Sequence, residues 1–238
     1  MVSLVPSQTE LLIDLGLEEN LLGITKFCVH PEYLRKIKKV VGGTKQVHIE
    51  KIEELRPDLI LCNKEENTPE MVAALEKVAP VHVSDINKIE DAYAMMLQYG
   101  RIFNREELAQ TLVKSIQKKI SALEEIKKGK PAKRVAYLIW KDPIMVAGKN
   151  TFIDTLLQLN NLDNVYSEDR YPVSDQEELE KKKPDFILLS SEPYPFSDKH
   201  RDDFANLGAE VKLVDGEYFS WYGSRLIEAM DYFKELKF

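Results

Sequence analysis

Cysteine is nearly absent. Cys28 and Cys62 are the only two among 238 residues. A disulfide framework and a four-cysteine zinc site are therefore excluded. One bridge between them stays open, but their unlike contexts point to two buried thiols, because free cysteine behaves as a small hydrophobe. No run reaches the roughly 18 uninterrupted apolar residues that a bilayer-spanning helix needs. The first residues, Met1-Val2-Ser3-Leu4-Val5-Pro6, carry no positive segment followed by a long apolar one, so no secretory leader is legible. Either the chain stays inside the cell or it begins after a removed leader. Catalytic signatures are missing too: no Gly-x-Ser-x-Gly, no Gly-x-Gly-x-x-Gly, no His-Glu-x-x-His and no glycine-rich phosphate loop. Gly42-Gly43-Thr44-Lys45 lacks the upstream glycine of such a loop and reads as a turn. These absences lower the expectation of an enzyme.

An excess of basic residues is also lacking. Lys and Arg number 33 against 40 Asp and Glu, a formal net charge of −7. Phosphate binding needs a concentrated basic surface, so a nucleic-acid partner is not expected. What is present is an ordinary globular composition, 44% hydrophobic and 31% charged. The length suits one large domain or two of roughly 100 residues each.

Short apolar runs alternate with helical periodicity. Val2–Val5, Leu21–Thr25, Leu59–Cys62 and Val81–Val83 read as strands. Between them, helical patterns begin near Ser7 and Thr9, near Thr44 and at Thr68. From Ile89 the pattern stays helical. Asn104, with Glu107 three positions on, is expected to cap a long helix whose stripe is Leu108, Leu112, Ile116, Ile120 and Leu123. Ending near Lys127, it extends about 35 Å at the usual rise per residue. Alternation then resumes. Strands are expected at Arg134–Trp140, Phe186–Leu189 and Val211–Val214, with helices at Thr151–Leu159, Asp202–Leu207 and Ser224–Leu236. This is an α/β pattern with mostly parallel sheets.

Glu54-Leu55-Arg56-Pro57-Asp58-Leu59-Ile60-Leu61 is echoed by Lys182-Lys183-Pro184-Asp185-Phe186-Ile187-Leu188, at an offset of 127 residues. A rod between two echoes implies two Rossmann-like lobes joined by a single long rigid α-helix. The expected division is an N-terminal α/β lobe over 1–103, a connecting helix over 104–130 and a C-terminal α/β lobe over 131–238.

Ligands of open α/β sheets bind outside the carboxyl ends of the strands. Two facing lobes are therefore expected to hold their ligand in one cleft lined by strand-exit loops. These loops supply the candidate contacts: Pro6 and Ser7; Phe27 and His30; Asn63, Lys64 and Glu65; Trp140 and Lys141; Ser191 and Glu192; and Tyr218, Phe219, Trp221, Tyr222 and Arg225. Both tryptophans fall in this set. Clustered aromatics imply a broad, flat, partly apolar ligand. Lys64, Lys141 and Arg225 suit ligand carboxylates or phosphates. Cys28 and His30 are too few for a zinc site, so no resident metal or cofactor is expected. Direct metal ligation, ligand contact, closure of the cleft and a structural role all stay open for His30.

At "SLVPSQTELLIDLG", "GITKFCVHP", "VGGTKQVHIEKIEELRPDLILCNKEEN", "PDFILLSSEPYPF" and "DGEYFSWYGSRL" the chain resembles the class III substrate-binding proteins of ABC importers. This family includes vitamin B12-binding and ferric-siderophore-binding proteins, the helical-backbone metal receptors. The resemblance implies two α/β lobes on one long helix, a bulky chelate held without catalysis, and docking onto a permease and its ATPase. It implies one docking acid on each lobe, by position Glu70 and Asp198. In the cobalamin binders, aromatics from both lobes sandwich the corrin. Trp221 or Tyr218 then supplies one face. Asn63 stands where those proteins place the other aromatic, with Phe27 on the neighbouring loop to compensate.

The expectation is thus a monomeric, non-enzymatic importer component binding cobalamin, a ferric siderophore or haem. It is periplasmic or membrane-anchored if a leader was trimmed, and cytoplasmic if Met1 is the native start. An intracellular corrinoid or metal-chelate carrier or sensor stays open. So does a two-lobed enzyme resembling a nucleotide-sugar transferase.

Overall fold

In the computed structural model, which describes residues 1–238, the short apolar runs become strands and the periodic segments become helices. The chain opens with β1 (Val2–Ser3) and α1 (Pro6–Asp14). Pro6 occupies the first turn of α1, where a missing N–H costs nothing. There follow β2 (Gly23–Ile24), α2 (Leu34–Ile37), β3 (Lys39–Val40), α3 (Ile49–Leu55), β4 (Ile60–Asn63), α4 (Pro69–Leu75), β5 (Val81–Ser84) and α5 (Ile89–Ile102). The strands form one parallel sheet in the order β3-β2-β1-β4-β5. Val2, Ile60 and Cys62 of the sheet, with Leu4 just after β1, pack with Ile52, Met71 and Leu75 of the helices.

The long helix α6 (Glu106–Lys127) has 22 residues. Asn104 does not cap it. Asn104 takes a left-handed φ of 54° and closes α5 instead: Asn104 N–H reaches Arg101 O, and Arg105 N–H reaches Gly100 O at 2.7 Å. Those two bonds are the Schellman pattern, and Asn is one of the few side chains that tolerates its left-handed position.

Beyond α6 come β6 (Lys133–Trp140), β7 (Ile144–Val146), α7 (Phe152–Leu159), β8 (Leu162–Asn164), β9 (Val173–Ser174), α8 (Gln176–Lys182), β10 (Phe186–Ser190), β11 (Glu210–Val214), α9 (Gly216–Ser220) and α10 (Leu226–Glu235). The sheet order is β11-β10-β6-β7-β9, with β8 also on β6. β10 runs parallel to β6 and β11, whereas β7 is antiparallel to β6 and β9. Residues 202–207, expected as an α-helix, form a tighter 3₁₀ segment.

The echoed segments have one physical basis. α3 and α8 each end on a left-handed basic residue, Arg56 (φ 45°) and Lys183 (φ 48°), directly before Pro-Asp. Each aspartate then meets the start of the first strand of its own sheet. Asp58 attracts the Met1 ammonium beside β1, and Asp185 Oδ2 accepts the Arg134 N–H at 2.8 Å in β6.

The chain divides into two compact units. One holds residues 1–86, 90–114 and 221–225; the other holds 87–89, 115–220 and 226–238. The division falls within α6, which connects them. Residues 221–225, expected with the C-terminal lobe, belong to the first unit.

Phe219 is corrected as well. It was expected to face a ligand from a loop, but it lies on α9, wholly buried, 5.2 Å from the ring of Tyr137 and 4.7 Å from that of Phe233. Phe219→Ala is expected to cost about 3–5 kcal/mol of stability. Urea unfolding measures this loss.

Candidate functional site

Parallel strands all exit at the same sheet edge. In the first unit, β1, β2, β4 and β5 therefore deliver the loops at Pro6, Thr25–His30, Lys64–Asn67 and Asp85 to one rim. In the second unit, β6, β10 and β11 deliver Lys141–Pro143, Ser191–Tyr194 and Asp215 likewise.

Phe27 stands on a clamped turn. Its N–H donates to Thr25 Oγ1 at 3.3 Å, Cys28 N–H donates to Thr25 O, and Lys26 N–H donates to Gly42 O. The ring is nonetheless 48% exposed, with the Lys26 ammonium 5.0 Å from its centre. Lys64 is exposed and paired with Asp85 at 2.6 Å. Glu65 is partly exposed, and its carbonyl accepts the Lys45 ammonium.

Other expected contacts of this unit are structural. Pro6 and Ser7 are buried in the first turn of α1. Asn63 is fully buried and staples its loop: its N–H reaches Asn67 Oδ1, its Oδ1 accepts Glu65 N–H, and its amide donates to Ser84 O. A short amide side chain at that point makes the turn after β4, rather than offering a face to a ligand.

Trp221, Tyr222 and Arg225 are also buried, at 6%, 5% and 8% exposure. Arg225 grips Glu10 of α1 with two bonds, Nε to Oε2 at 3.0 Å and a second guanidinium nitrogen to Oε1. Burial raises the Glu10 carboxyl above its ordinary value, and the bond from Arg225 opposes that rise. The Arg225 guanidinium lies 5.4 Å from the Trp221 ring, and His30 meets the same ring edge-on at 5.5 Å. The Tyr222 hydroxyl joins a buried network. Gln8 Nε2 donates to it at 3.4 Å and to Ser84 Oγ at 2.6 Å, while Gln8 Oε1 accepts the Tyr99 hydroxyl at 2.8 Å. Desolvation holds both phenols in their protonated form. These bonds explain why residues 221–225 group with the first unit.

In the second unit, Trp140 is 39% exposed. Its Nε1–H donates to Asp142 O at 3.2 Å, and its ring meets Tyr194 edge-on at 5.5 Å. Lys141 pairs with Asp203 at 2.8 Å. Ser191 Oγ accepts Gly216 N–H at 2.8 Å, and Glu192 accepts the Ser220 hydroxyl at 2.7 Å. Gly216 is required here, because a Cβ would lie 2.4 Å from Ser190 Oγ. Tyr218 is partly exposed and stacks on Tyr232 at 4.8 Å. Glu70 is exposed in the first turn of α4. Asp198 is exposed and 2.9 Å from Arg201.

The structure thus keeps Phe27, Lys64, Glu65, Trp140, Lys141, Ser191, Glu192 and Tyr218 accessible at the strand-exit rims. It turns Pro6, Ser7, Asn63, Phe219, Trp221, Tyr222 and Arg225 inward. Sequence reasoning missed Glu10, Ser84 and Tyr99. A glutamate on an otherwise buried helix face was the only available signal. No group of three or more His, Cys, Asp or Glu side chains gathers to hold a metal ion.

The chain belongs to the periplasmic binding protein family, which matches residues 1–209. It is 27% identical over 244 residues to an uncharacterized ABC transporter substrate-binding lipoprotein, YvrC, of Bacillus subtilis, covering 97% of this chain and 77% of the relative. It is 24% identical over 234 residues to a vitamin B12-binding protein of Pectobacterium carotovorum, covering 96% and 84%. The periplasmic heme-binding protein RhuT of Roseiflexus shares the fold at a TM-score of 0.85, with 19% identity, 98% of this chain and 95% of that one covered. Family and fold are those of a non-catalytic binding protein with two lobes on a long helix. The transferase alternative is set aside.

Burial pushes the Cys62 thiol up to about 12 from an ordinary 9.0, and raises Cys28 as well. Both are expected to resist a thiol reagent at pH 8 in the native protein and to react fully in guanidinium. The sign for stability follows. An unfolded Cys62 ionises near pH 9.0 while the native one keeps its proton to about 12. Its contribution is therefore complete below pH 9 and is lost as pH rises toward 12. Unfolding midpoints between pH 8 and 11 check the slope.

Proposed function

We propose that the chain is the substrate-binding component of an ABC importer, holding a metal chelate of the cobalamin, haem or ferric-siderophore class and handing it on unchanged. The observation that carries this reading is two exposed aromatics at strand exits, Phe27 on the clamped turn after β2 and Trp140 at the carboxyl end of β6, each fixed by hydrogen bonds. Each ring keeps a large exposed face on which a flat apolar ligand can stack. Preset loops lose little entropy on binding. Lys26 beside Phe27, Lys64, Lys141, Ser191 and Glu192 supply polar contacts at the rims, with Tyr218 as a third aromatic. The metal arrives already chelated, so the chain needs no ligand set of its own.

The relatives' names support the class. One is an ABC transporter substrate-binding lipoprotein, another a vitamin B12-binding protein, and a structural neighbour a heme-binding protein. We infer an extracytoplasmic location, periplasmic or membrane-anchored, and docking on a permease through the exposed carboxylates of Glu70 and Asp198. No helix is long and apolar enough to cross a membrane.

A thermal-shift panel of cyanocobalamin, hemin, a ferric hydroxamate, a ferric catecholate and UDP-glucose tests the reading. The cognate chelate at 100 times its dissociation constant is expected to stabilise by about 2.7 kcal/mol. Phe27→Ala is expected to weaken it by roughly tenfold, the worth of one aromatic contact, with the unfolding temperature of the free protein unchanged. Stabilisation by the nucleotide sugar alone contradicts the proposal.

A further inference from the structure

We propose that the rim around Phe27 selects for charge: through the ammoniums of Lys26 and Lys45 it favours a flat chelate with anionic groups at its edge over a neutral one. This rests on the importer reading and narrows its ligand class. The seat of the ring is made by close backbone approach. Lys26 N–H donates to Gly42 O at 2.8 Å, and Gly43 N–H donates to Gln46 O at 2.7 Å. A Cβ on Gly43 would lie 3.2 Å from Phe27 Cε2 and 3.6 Å from Lys26 Cε, so this turn lies against both side chains. Asn67 Nδ2 donates to Thr44 O at 2.8 Å, and the Lys45 ammonium donates to Glu65 O. These two bonds fasten the same turn to the loop after β4. All of these residues belong to the first unit.

The charges here are set apart from the other rim cations. Lys64 and Lys141 are each neutralised by an aspartate. Lys26 and Lys45 are exposed and pair with no carboxylate: Lys26 meets the Phe27 ring, and Lys45 bonds a backbone carbonyl. Arg35 adds a third cation, its Nη1 donating to Lys26 O at 3.4 Å. The acids of the adjoining loop, Glu65 and Glu66, are more buried than either lysine. Glu65 Oε1 is out of contact with water, and the charge of Glu66 acts on the buried Cys28 thiol and Tyr222 phenol.

Stacking turns this placement into selection. The Lys26 ammonium lies 5.0 Å from the centre of the Phe27 ring, so a guest that covers the ring also takes water from that charge. Withdrawing an unpaired charge from water is costly, and a neutral guest returns nothing for it. A guest with an anionic edge pairs with the ammonium as it covers the ring, and the lowered local dielectric strengthens the pairing. Lys45, on the turn that seats the ring, offers a second cation to a second anionic group. Rejection of the neutral guest and attraction of the charged one therefore act in the same direction. Carboxylate and catecholate groups on the chelate satisfy this chemistry; an uncharged edge does not.

The test uses the full chain and two pairs of flat probes that differ in charge. Hemin and hemin dimethyl ester are titrated by Soret absorbance. Pyrenetetrasulfonate and pyrenemethanol, which hold no metal, are titrated by pyrene fluorescence. Each titration is repeated at low and high salt and on Lys26→Met, Lys45→Met, the double variant, Lys26→Arg and Phe27→Ala, with circular dichroism confirming the fold. The charged member of a pair is expected to bind roughly tenfold tighter, as pairing of a desolvated charge allows, with salt narrowing the gap. Each lysine substitution narrows it, the double variant closes it and Lys26→Arg keeps it. Either pair showing this pattern supports the selection; it is overturned if neither does. Equal binding of hemin and its ester, lost in Phe27→Ala, with no preference between the pyrenes removes the selection and leaves the importer reading. The pattern in the pyrenes alone, with no chelate of the thermal-shift panel stabilising the protein, does the reverse.

Discussion

The bond between Arg225 and Glu10 joins residues 215 positions apart and decides which unit owns the last candidate segment. In the same five-residue segment, Trp221 meets His30 and Tyr222 meets Gln8. Both charges are largely removed from water, which is costly unless each satisfies the other. The raised Glu10 carboxyl shows that cost, and the bidentate grip of Arg225 offsets it.

Around it, the sheets do the placing. Parallel order brings distant loops to one rim in each unit, and local bonds then fix what each loop shows. Thr25 locks the turn that exposes Phe27, Asn63 locks the turn after β4, and Ser191 with Gly216 locks the turn after β10. The accessible groups left at the rims are aromatic and mixed in charge.

Much of this was legible from residue order. The alternation of buried strands and helices, the long helix and the Pro-Asp echo all rest on local signals, namely apolar period, capping chemistry and turn residues. The echo even has a shared cause in Arg56 and Lys183, whose left-handed turns precede it. Illegible features were those set by distant partners. The short antiparallel strands β7 and β9 carry too few residues to show a period. Asn104 has the chemistry of both a helix start and a helix stop, and the preceding α5 claimed it. Phe219, Trp221 and Tyr222 read as an exposed aromatic loop because they cluster with Tyr218 at a strand exit. They are buried by facing different partners: Phe219 meets Tyr137 and Phe233, Trp221 meets His30 and Arg225, and Tyr222 meets Gln8. Asn63 stands where the chain leaves β4, a place expected to offer an open contact, yet its amide serves the loop itself.

The most direct measurement is a double-mutant cycle on Glu10 and Arg225, using Glu10→Gln, Arg225→Met and the pair, read by equilibrium unfolding in urea. Removing either partner of a buried ion pair is expected to cost about 3–5 kcal/mol. The double variant should recover a substantial part of that loss, giving a coupling well above 1 kcal/mol. Additive losses, with no coupling between the two positions, would contradict the account.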